Sequence, residues 1–494
     1  METMSRALAK ARAYEEQAEK MIPPESRPGF HLSPRAGWLN DPNGFSRYGG
    51  EYHLFYQYHP YSSQWGPMHW GHAVSGDLLR WRFLPAALAP EEPYDRDGCF
   101  SGGAVTLQDG RHLLMYTGVD RSSGRDVQTQ NLAVGDGVNY VKYAKNPVLT
   151  AADLPEGCSP ADFRDPKLWQ EPDGSYRMVA VNRAADGFGQ VLLFRSGDGL
   201  RWERAGTVCA NRGRLGRMWE CPDLFQLDGQ DVLLCSAMDM LPRKLEYPSG
   251  NVPFYALGKL DRATGEFAAG PDHAVDQGID FYAPQTVLTE DGRRVMIAWM
   301  QNWDTVALRT DPRPWFGQMT LPRELSVREG RLFQVPVREL EELRRDAVVQ
   351  NGVPLSREPL RLPGVAGRMA DIELDLRPKN GGFGRFTLHF AEKEKLHTTL
   401  RFLPGENVVQ LDRRYSGSRR AIVHQCRARV SGRNGALRLR LVLDRCSAEV
   451  FLNDGETALT ATLYTDARAD GISFSADGAA EMDLRFYRLD PEAG

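Results

Sequence analysis

Short runs of alternating apolar and polar residues, each broken by a glycine turn, recur five times in the first two-thirds of the chain. The copies read FSRYGGEYHLFYQY, VTLQDGRHLLMYTG, LWQEPDGSYRMVAV, LFQLDGQDVLLCSA and VLTEDGRRVMIAWM. Alternation marks half-buried strands, and Asp-Gly or Gly-Gly between apolar runs is a strong hairpin signal. The turn glycines are Gly50, Gly110, Gly174, Gly229 and Gly292, spaced by 60, 64, 55 and 63 residues. Antiparallel units at so regular a period predict a radial array, a five-bladed β-propeller. A β-sandwich with coincidental spacing is the competing arrangement. A second repeat agrees with the first: SGDLLRW (Ser75 to Trp81) and SGDGLRW (Ser196 to Trp202).

From about Asp371 the pattern changes to uninterrupted short strands (DIELDLRP, GRFTLHFAE, LRLRLVLD, AEVFLNDG, ALTATLY). Their spacing predicts a C-terminal β-sandwich, so the fold class is all-β. All ten tryptophans lie between Trp38 and Trp315, which sets the two regions apart. Between them VRELEELRRDAV, from Val337, reads as a linker helix, and the charged N-terminus METMSRALAKARAYEEQAEKM as an amphipathic one. The expected division is a helical segment over 1–26, the propeller over 27–335, the linker helix over 336–350 and the sandwich over 351–494.

Composition narrows the function. With 494 residues, two or three domains are expected, and a net charge of −4 gives no basic excess for nucleic acid. No run is long and apolar enough to span a bilayer, and the N-terminus lacks the apolar core of a signal peptide. Seven cysteines at irregular spacing, with no CxxC pair, fit neither a disulfide framework nor a zinc site. The cytoplasm is the expected compartment.

Nine residues before each turn glycine stand Asp41, Ser101, Asp165, Glu220 and Ala283. Blades place such positions at one height around a shared axis, so three carboxylates would converge at one end of the channel. Clustered like charges oppose folding and call for a functional reason. Two carboxyls flanking a bond are what glycoside hydrolysis requires, one as proton donor and one as nucleophile or base. Glu220, between Trp219 and Cys221, reads as the acid in an apolar setting. Asp41, beside Asn40 and Asn43, reads as a carboxylate kept ionised by amide donors. Asp165, after Arg164, reads as a carboxylate held by a cation that stabilises charge on the sugar. Three acids could instead bind calcium or magnesium, but no DxDxDG loop is present. His69 and His72 alone make a weak metal pair, better read as structural. Trp65, Phe100 and Tyr282 are aromatic candidates for sugar contact. Gln57, Ser101 and Arg164 are polar candidates at the inner strand ends.

These motifs carry a resemblance. WLNDPNG, FRDP and ECPD, with CFSGGAV, DFYAPQ, LPREL and the C-terminal DRCSAEVFLNDGE, are similar in kind and order to those of glycoside hydrolase family 32, the β-fructofuranosidases. The likeness is greatest to the bacterial sucrose or sucrose-6-phosphate hydrolase type. It implies a five-bladed propeller followed by a β-sandwich, and a retaining double displacement with no metal or other cofactor. It also implies Asp41 as nucleophile, Glu220 as acid/base and Asp165 as transition-state stabiliser. Asn40, Gln57, Trp65, Phe100, Ser101 and Arg164 would line the fructosyl pocket. The expected partner is a small sugar: sucrose, sucrose 6-phosphate or a short fructo-oligosaccharide attacked from its end. Fructosyl transfer shares the covalent intermediate, and a non-catalytic glycan-binding propeller is the alternative from another class. A phosphorylated substrate calls for a cation at the rim, for which Arg243, Lys244 and Arg309 are candidates. The sandwich is expected to be structural. DRRYSGSRR (Asp412 to Arg420) reads as a solvated hairpin tip, and Asp444 and Glu449 as strand and turn residues.

Overall fold

The computed structural model describes residues 4–306, 313–417 and 423–492. Ser5 caps the first helix, Arg6–Glu19, accepting from Leu8 N at 3.2 Å. The helix buries Leu8, Ala11 and Glu15 and lies against the strand Arg82–Leu88. There the Glu15 carboxylate accepts from Ala86 N at 2.9 Å, so the helix covers and satisfies a sheet edge.

Five antiparallel sheets follow. Their first strands are Gly37–Tyr48, Gly98–Thr106, Arg164–Gln170, Met218–Leu227 and Tyr282–Leu288. Each packs on the next, and the fifth returns to the first, closing a five-bladed propeller. Trp315–Phe316, from an excursion within the fifth blade, pairs in parallel with Gly37–Trp38 and staples the ring. The five turn glycines join first to second strands with φ between 80° and 87°, a left-handed conformation that a side chain would strain. The repeated Ser-Gly-Asp stretches form the same turn. Asp77 Oδ1 accepts from Leu79 N and Arg80 N (2.9 and 2.7 Å), and Asp198 Oδ1 from Leu200 N and Arg201 N (2.8 and 2.9 Å).

The helix expected over 336–350 does not form. The chain makes a six-residue 3-10 turn, Arg338–Leu343, and enters the strand Arg344–Leu355. That strand pairs with Gly471–Leu489, and Arg344 is gripped by Asp371 and Glu373. Tertiary pairing overrides the helix propensity of the sequence.

In the C-terminal region two long strands, Ala370–Lys393 and Gly471–Leu489, pair along almost their whole length. The first half of Ala370–Lys393 also pairs with Leu437–Asp444 and its second half with Leu396–Leu403. The two strands thus pass from one layer of a sandwich to the other, around a core that includes Ile372, Leu388, Leu441 and Phe474. The strand Thr457–Thr462 abuts the propeller, where Ile279 N donates to Thr460 O at 2.7 Å. Arg413, expected at a solvated tip, is fully buried there and paired with Asp280. Residues 418–420 of that basic run lie outside the described residues.

Candidate active site

In every blade the first strand carries an extra residue against the second near the channel mouth, and the first blade carries another between Asn43 and Ser46. The slip at the mouth falls between Leu39 and Pro42, Phe100 and Gly102, Arg164 and Lys167, Glu220 and Asp223, and Tyr282 and Gln285. Bulges of this kind re-aim side chains at a channel mouth. In the last three blades the residue inside the slip takes a positive φ: Asp165 62°, Cys221 48° and Ala283 51°. Each precedes a proline, which has no N–H for the bulge to leave unpaired. Such non-glycine conformations are strained by about 1–3 kcal/mol each and cluster at functional sites.

Register therefore makes Glu220 the counterpart of Arg164 and Tyr282, and Cys221 the counterpart of Asp165 and Ala283. Counting back from the turn glycine aligns Glu220 with Asp165 instead. The count slips because blade four closes its hairpin with Asp228 and Gly229 alone. Blades three and five enclose three residues within the Glu171–Ser175 and Thr289–Arg293 pairs.

The counterparts meet. Glu220 Oε1 accepts from Arg164 Nε at 3.2 Å, and Oε2 from the Tyr282 hydroxyl at 2.6 Å. Arg164 Nη1 also donates to Gln128 Oε1 at 3.4 Å and Asp162 Oδ1 at 3.2 Å. Asp165 Oδ2 accepts from Cys221 N at 2.9 Å. The Cys221 thiol lies 3.7 Å from both Asp41 Oδ2 and Asp165 Oδ2, and Ser101 Oγ lies 3.4 Å from Asp41 Oδ2. Asp41 Oδ1 is buried and has no partner. Asn40 Oδ1 is held by Trp38 Nε1 at 2.7 Å, and Gln57 Nε2 by Cys99 O at 3.0 Å.

Three local expectations fail. Asp41 is not kept ionised by amide donors. Burial and then the charge of Glu220 push its carboxyl up to about 7, against the hydrogen bond from Asn40. Asp165 is also raised, because burial outweighs the attraction of Arg164. Nor is the setting of Glu220 apolar. Trp219 turns into the blade core, its Nε1 bonded to Leu215 O at 2.9 Å, while Glu220 faces the polar channel. Neighbours on a strand point to opposite faces.

A cavity of about 410 Å³ opens at this mouth, lined by Asn40, Asp41, Gln57, Trp65, Phe100, Ser101, Arg164, Asp165 and Glu220. Tyr282 is not among the lining residues; it sits fully buried behind Glu220 as its donor. Trp65, 42% exposed, meets Phe100 edge-on at 6.2 Å and forms a rim. Sequence reasoning missed Asp126, Gln128, Ala161, Asp162, Met238 and Trp303, which complete the wall, and the thiol of Cys221 between two acids. Aligning the three prolines of RDP, ECP and YAP, rather than the glycines, would have placed Cys221 correctly. His72 is structural in its contacts, stacked on Phe55 at 4.0 Å and bonded to His53 at 2.9 Å. Arg243 is engaged with Asp272 and Tyr247, neither it nor Lys244 lines the cavity, and Arg309 lies outside the described residues.

A propeller mouth that gathers three carboxylates around a pocket, with one acid gripped by two donors, defines a glycoside hydrolase. Comparison with known proteins agrees. Residues 31–336 match the Glycosyl hydrolases family 32 N-terminal domain, and residues 339–488 the Glycosyl hydrolases family 32 C terminal. The chain is 39% identical over 468 residues to the raffinose invertase of Escherichia coli, spanning 92% of this chain and 93% of that one. It is 34% identical over 489 residues to the sucrose-6-phosphate hydrolase of Bacillus subtilis, spanning 97% and 98%. A β-fructofuranosidase of Bombyx mori superposes with a TM-score of 0.83 at 34% identity, over 98% of each chain. A mutant of the same enzyme, solved in complex with sucrose, superposes with a TM-score of 0.84 at 34% identity, over 99% of each chain. The chain belongs to glycoside hydrolase family 32, the β-fructofuranosidases.

Proposed function

We propose that the enzyme releases a terminal fructosyl unit from sucrose or sucrose 6-phosphate by double displacement. Asp41 attacks the anomeric carbon of the fructosyl ring while Glu220 gives its proton to the departing glycosidic oxygen. A fructosyl ester forms on Asp41, and glucose or glucose 6-phosphate leaves. Glu220 then takes a proton from water, the water oxygen attacks the same carbon, and Asp41 is freed with fructose in its original anomeric form. Asp165, fixed by Cys221 N, faces the positive charge that grows on the ring.

One observation carries this reading. Glu220 is held by a guanidinium and a phenol and Asp165 by a backbone amide, whereas Asp41, lining the cavity, meets only neutral donors, among them the Ser101 hydroxyl at 3.4 Å and the Cys221 thiol at 3.7 Å, both at Oδ2. A cavity-lining carboxylate that meets only weak neutral donors keeps the basicity a nucleophile requires. The compartment we assign is the cytoplasm, on the support of seven cysteines without a disulfide. Among the described residues no helix is long and apolar enough to cross a membrane.

The test is kcat/KM for sucrose, sucrose 6-phosphate and a short fructo-oligosaccharide side by side, with the anomer of released fructose followed by NMR. Turnover of either disaccharide with β-fructofuranose appearing first is expected. Preference for the oligosaccharide would make it an exo-fructosidase. Inversion would remove Asp41 as nucleophile, and no turnover by folded protein would leave a glycan-binding propeller.

A further inference from the structure

The propeller channel has a second mouth. At the opposite ends of the same five inner strands, a cavity of about 930 Å³ is lined by Ser46, Val105, Lys167, Phe225 and Val287, with Arg294 in its wall. It shares no lining residue with the carboxylate cavity.

Most charges around this rear mouth are accounted for. Arg262 is held by Glu171 at 2.7 Å and Arg47 by Glu290 at 2.5 Å. Lys167 Nζ donates to Thr286 O at 2.6 Å and lies 3.3 Å from Asp223 Oδ2. That same oxygen already accepts from Thr286 N and Oγ1, at 2.8 and 2.9 Å. Arg294 remains. Its guanidinium rests over the Phe225 ring at 4.9 Å, and its Nε is sealed from solvent with no hydrogen-bond partner. Among the described residues the acid whose charge reaches Arg294 is Asp223, already shared with Lys167. Buried Lys167 and half-buried Arg294 thus share Asp223, while Asp231 of the same wall accepts from Leu260 N at 2.8 Å. A guanidinium with one N–H sealed from water is ordinarily matched by an oxyanion, because taking an unpaired donor of a charged group out of water opposes folding.

We propose that this rear mouth is an anion site that binds a phosphate group, either inorganic phosphate or the phosphate of a sugar monoester. Arg294 offers its donor fork to two oxygens, the geometry in which guanidinium recognises phosphate. Lys167 supplies the second positive charge, and Phe225 fixes the plane of the guanidinium. The volume admits a sugar phosphate as well as the bare ion. The site stands independently of the fructosidase reading, since it uses none of those residues.

The test is calorimetric titration of the full chain at low ionic strength with inorganic phosphate and, separately, with glucose 6-phosphate. Arg294→Gln and Thr106→Asp are run beside it; Thr106 also lines this cavity, so the second adds a negative charge to the same wall. Saturable binding is expected, weakened about tenfold or more in both variants, with sucrose turnover unchanged. Equal affinity for the two probes would identify the phosphate group alone as the ligand, and tighter glucose 6-phosphate a monoester. The proposal is overturned by no saturable binding of either probe, or by binding that both variants leave intact, which would place the anion at the carboxylate mouth. Should Arg294→Gln fail to fold, Thr106→Asp decides alone.

Discussion

Among the buried carboxylates of the described residues, two groups are treated oppositely by their surroundings. Where propeller meets sandwich, Asp276, Asp280, Asp444 and Glu449 are saturated with partners. His31 bridges Asp444 Oδ2 at 2.7 Å and Glu449 Oε1 at 2.9 Å. Arg323 binds Glu449 and reaches Asp276 at 2.9 Å, and Arg413 binds Asp280. Burial pushes the Asp444 and Glu449 carboxyls up, but His31, Arg323 and backbone amides pull both below the usual range. Burial likewise opposes a charged His31, yet its two acids push it up to about 9. At the channel mouth Asp41 is also buried but has no cation beside it, only weak neutral donors, and burial and then the charge of Glu220 raise its carboxyl to about 7. A saturated acid joins two domains; a starved one is kept for a reacting partner.

The largest expected effects break this contrast from its two sides. Asp41→Asn lowers turnover by about 10⁴-fold or more, as loss of a nucleophile does. Stability moves the other way. A folded carboxyl raised above its unfolded value is favoured while protonated, and that advantage is lost as pH climbs from about 4 to 7. Asn escapes the loss, so at pH 8 Asp41→Asn melts higher than the parent in calorimetry. Arg323→Met does the reverse. It strands Glu449 and Asp276, and destabilises by about 3–5 kcal/mol, while the protein that remains folded keeps its kcat.

The His31 clamp follows its own pH law. Its stabilisation is complete below about 6.5 and lost as pH rises through 9, so urea midpoints fall over that window. His31→Gln flattens the dependence. Unchanged pH dependence in that variant would show that His31 is not the titrating group.

How much of this was open to the sequence depends on how local each cause is. The five blades were legible because a positive φ at Gly50 or Gly229 is demanded by the turn itself. The three acids were legible because blade periodicity brings distant positions to one mouth. The setting of Glu220 was not, because its sequence neighbour Trp219 faces the other side of the strand. Arg413 looked like one more exposed arginine of a basic run, yet its partner Asp280 is 133 residues away. His31 and Asp444 are separated by 413 residues, and nothing local to either announces the other.

Smaller effects sharpen the contrast. If Asp41 must ionise to attack, kcat/KM falls as pH drops through about 7, with a value that belongs to the coupled carboxylates together. The charge of Glu220 is the second cause of that rise. Glu220→Gln, assayed on a fructoside whose leaving group needs no proton, moves the acid limb to lower pH. An unmoved limb would assign it to another group. Tyr282→Phe removes the 2.6 Å donor to Glu220 and lowers kcat by about tenfold, the usual scale for one charge-assisted hydrogen bond, with little change in Tm.

The smallest change tests the contrast most directly. Cys221 sets a thiol, a weak donor, 3.7 Å from Asp41 Oδ2 and Asp165 Oδ2, and the thiol itself is pushed well up by burial and then by both acids. It therefore separates the two carboxylates without neutralising either. Cys221→Ser puts a stronger hydrogen-bond donor there on a side chain of the same shape. Asp41 then moves a step toward the saturated class, and the acid limb of kcat/KM shifts down by a few tenths of a pH unit. Maximal kcat drops by a few-fold, since a carboxylate better solvated by the protein is a poorer nucleophile. A shift without the loss of rate would mean that starvation of Asp41 sets only its titration. A loss of rate without the shift would mean that the sulfur acts through its size, by holding the two acids apart.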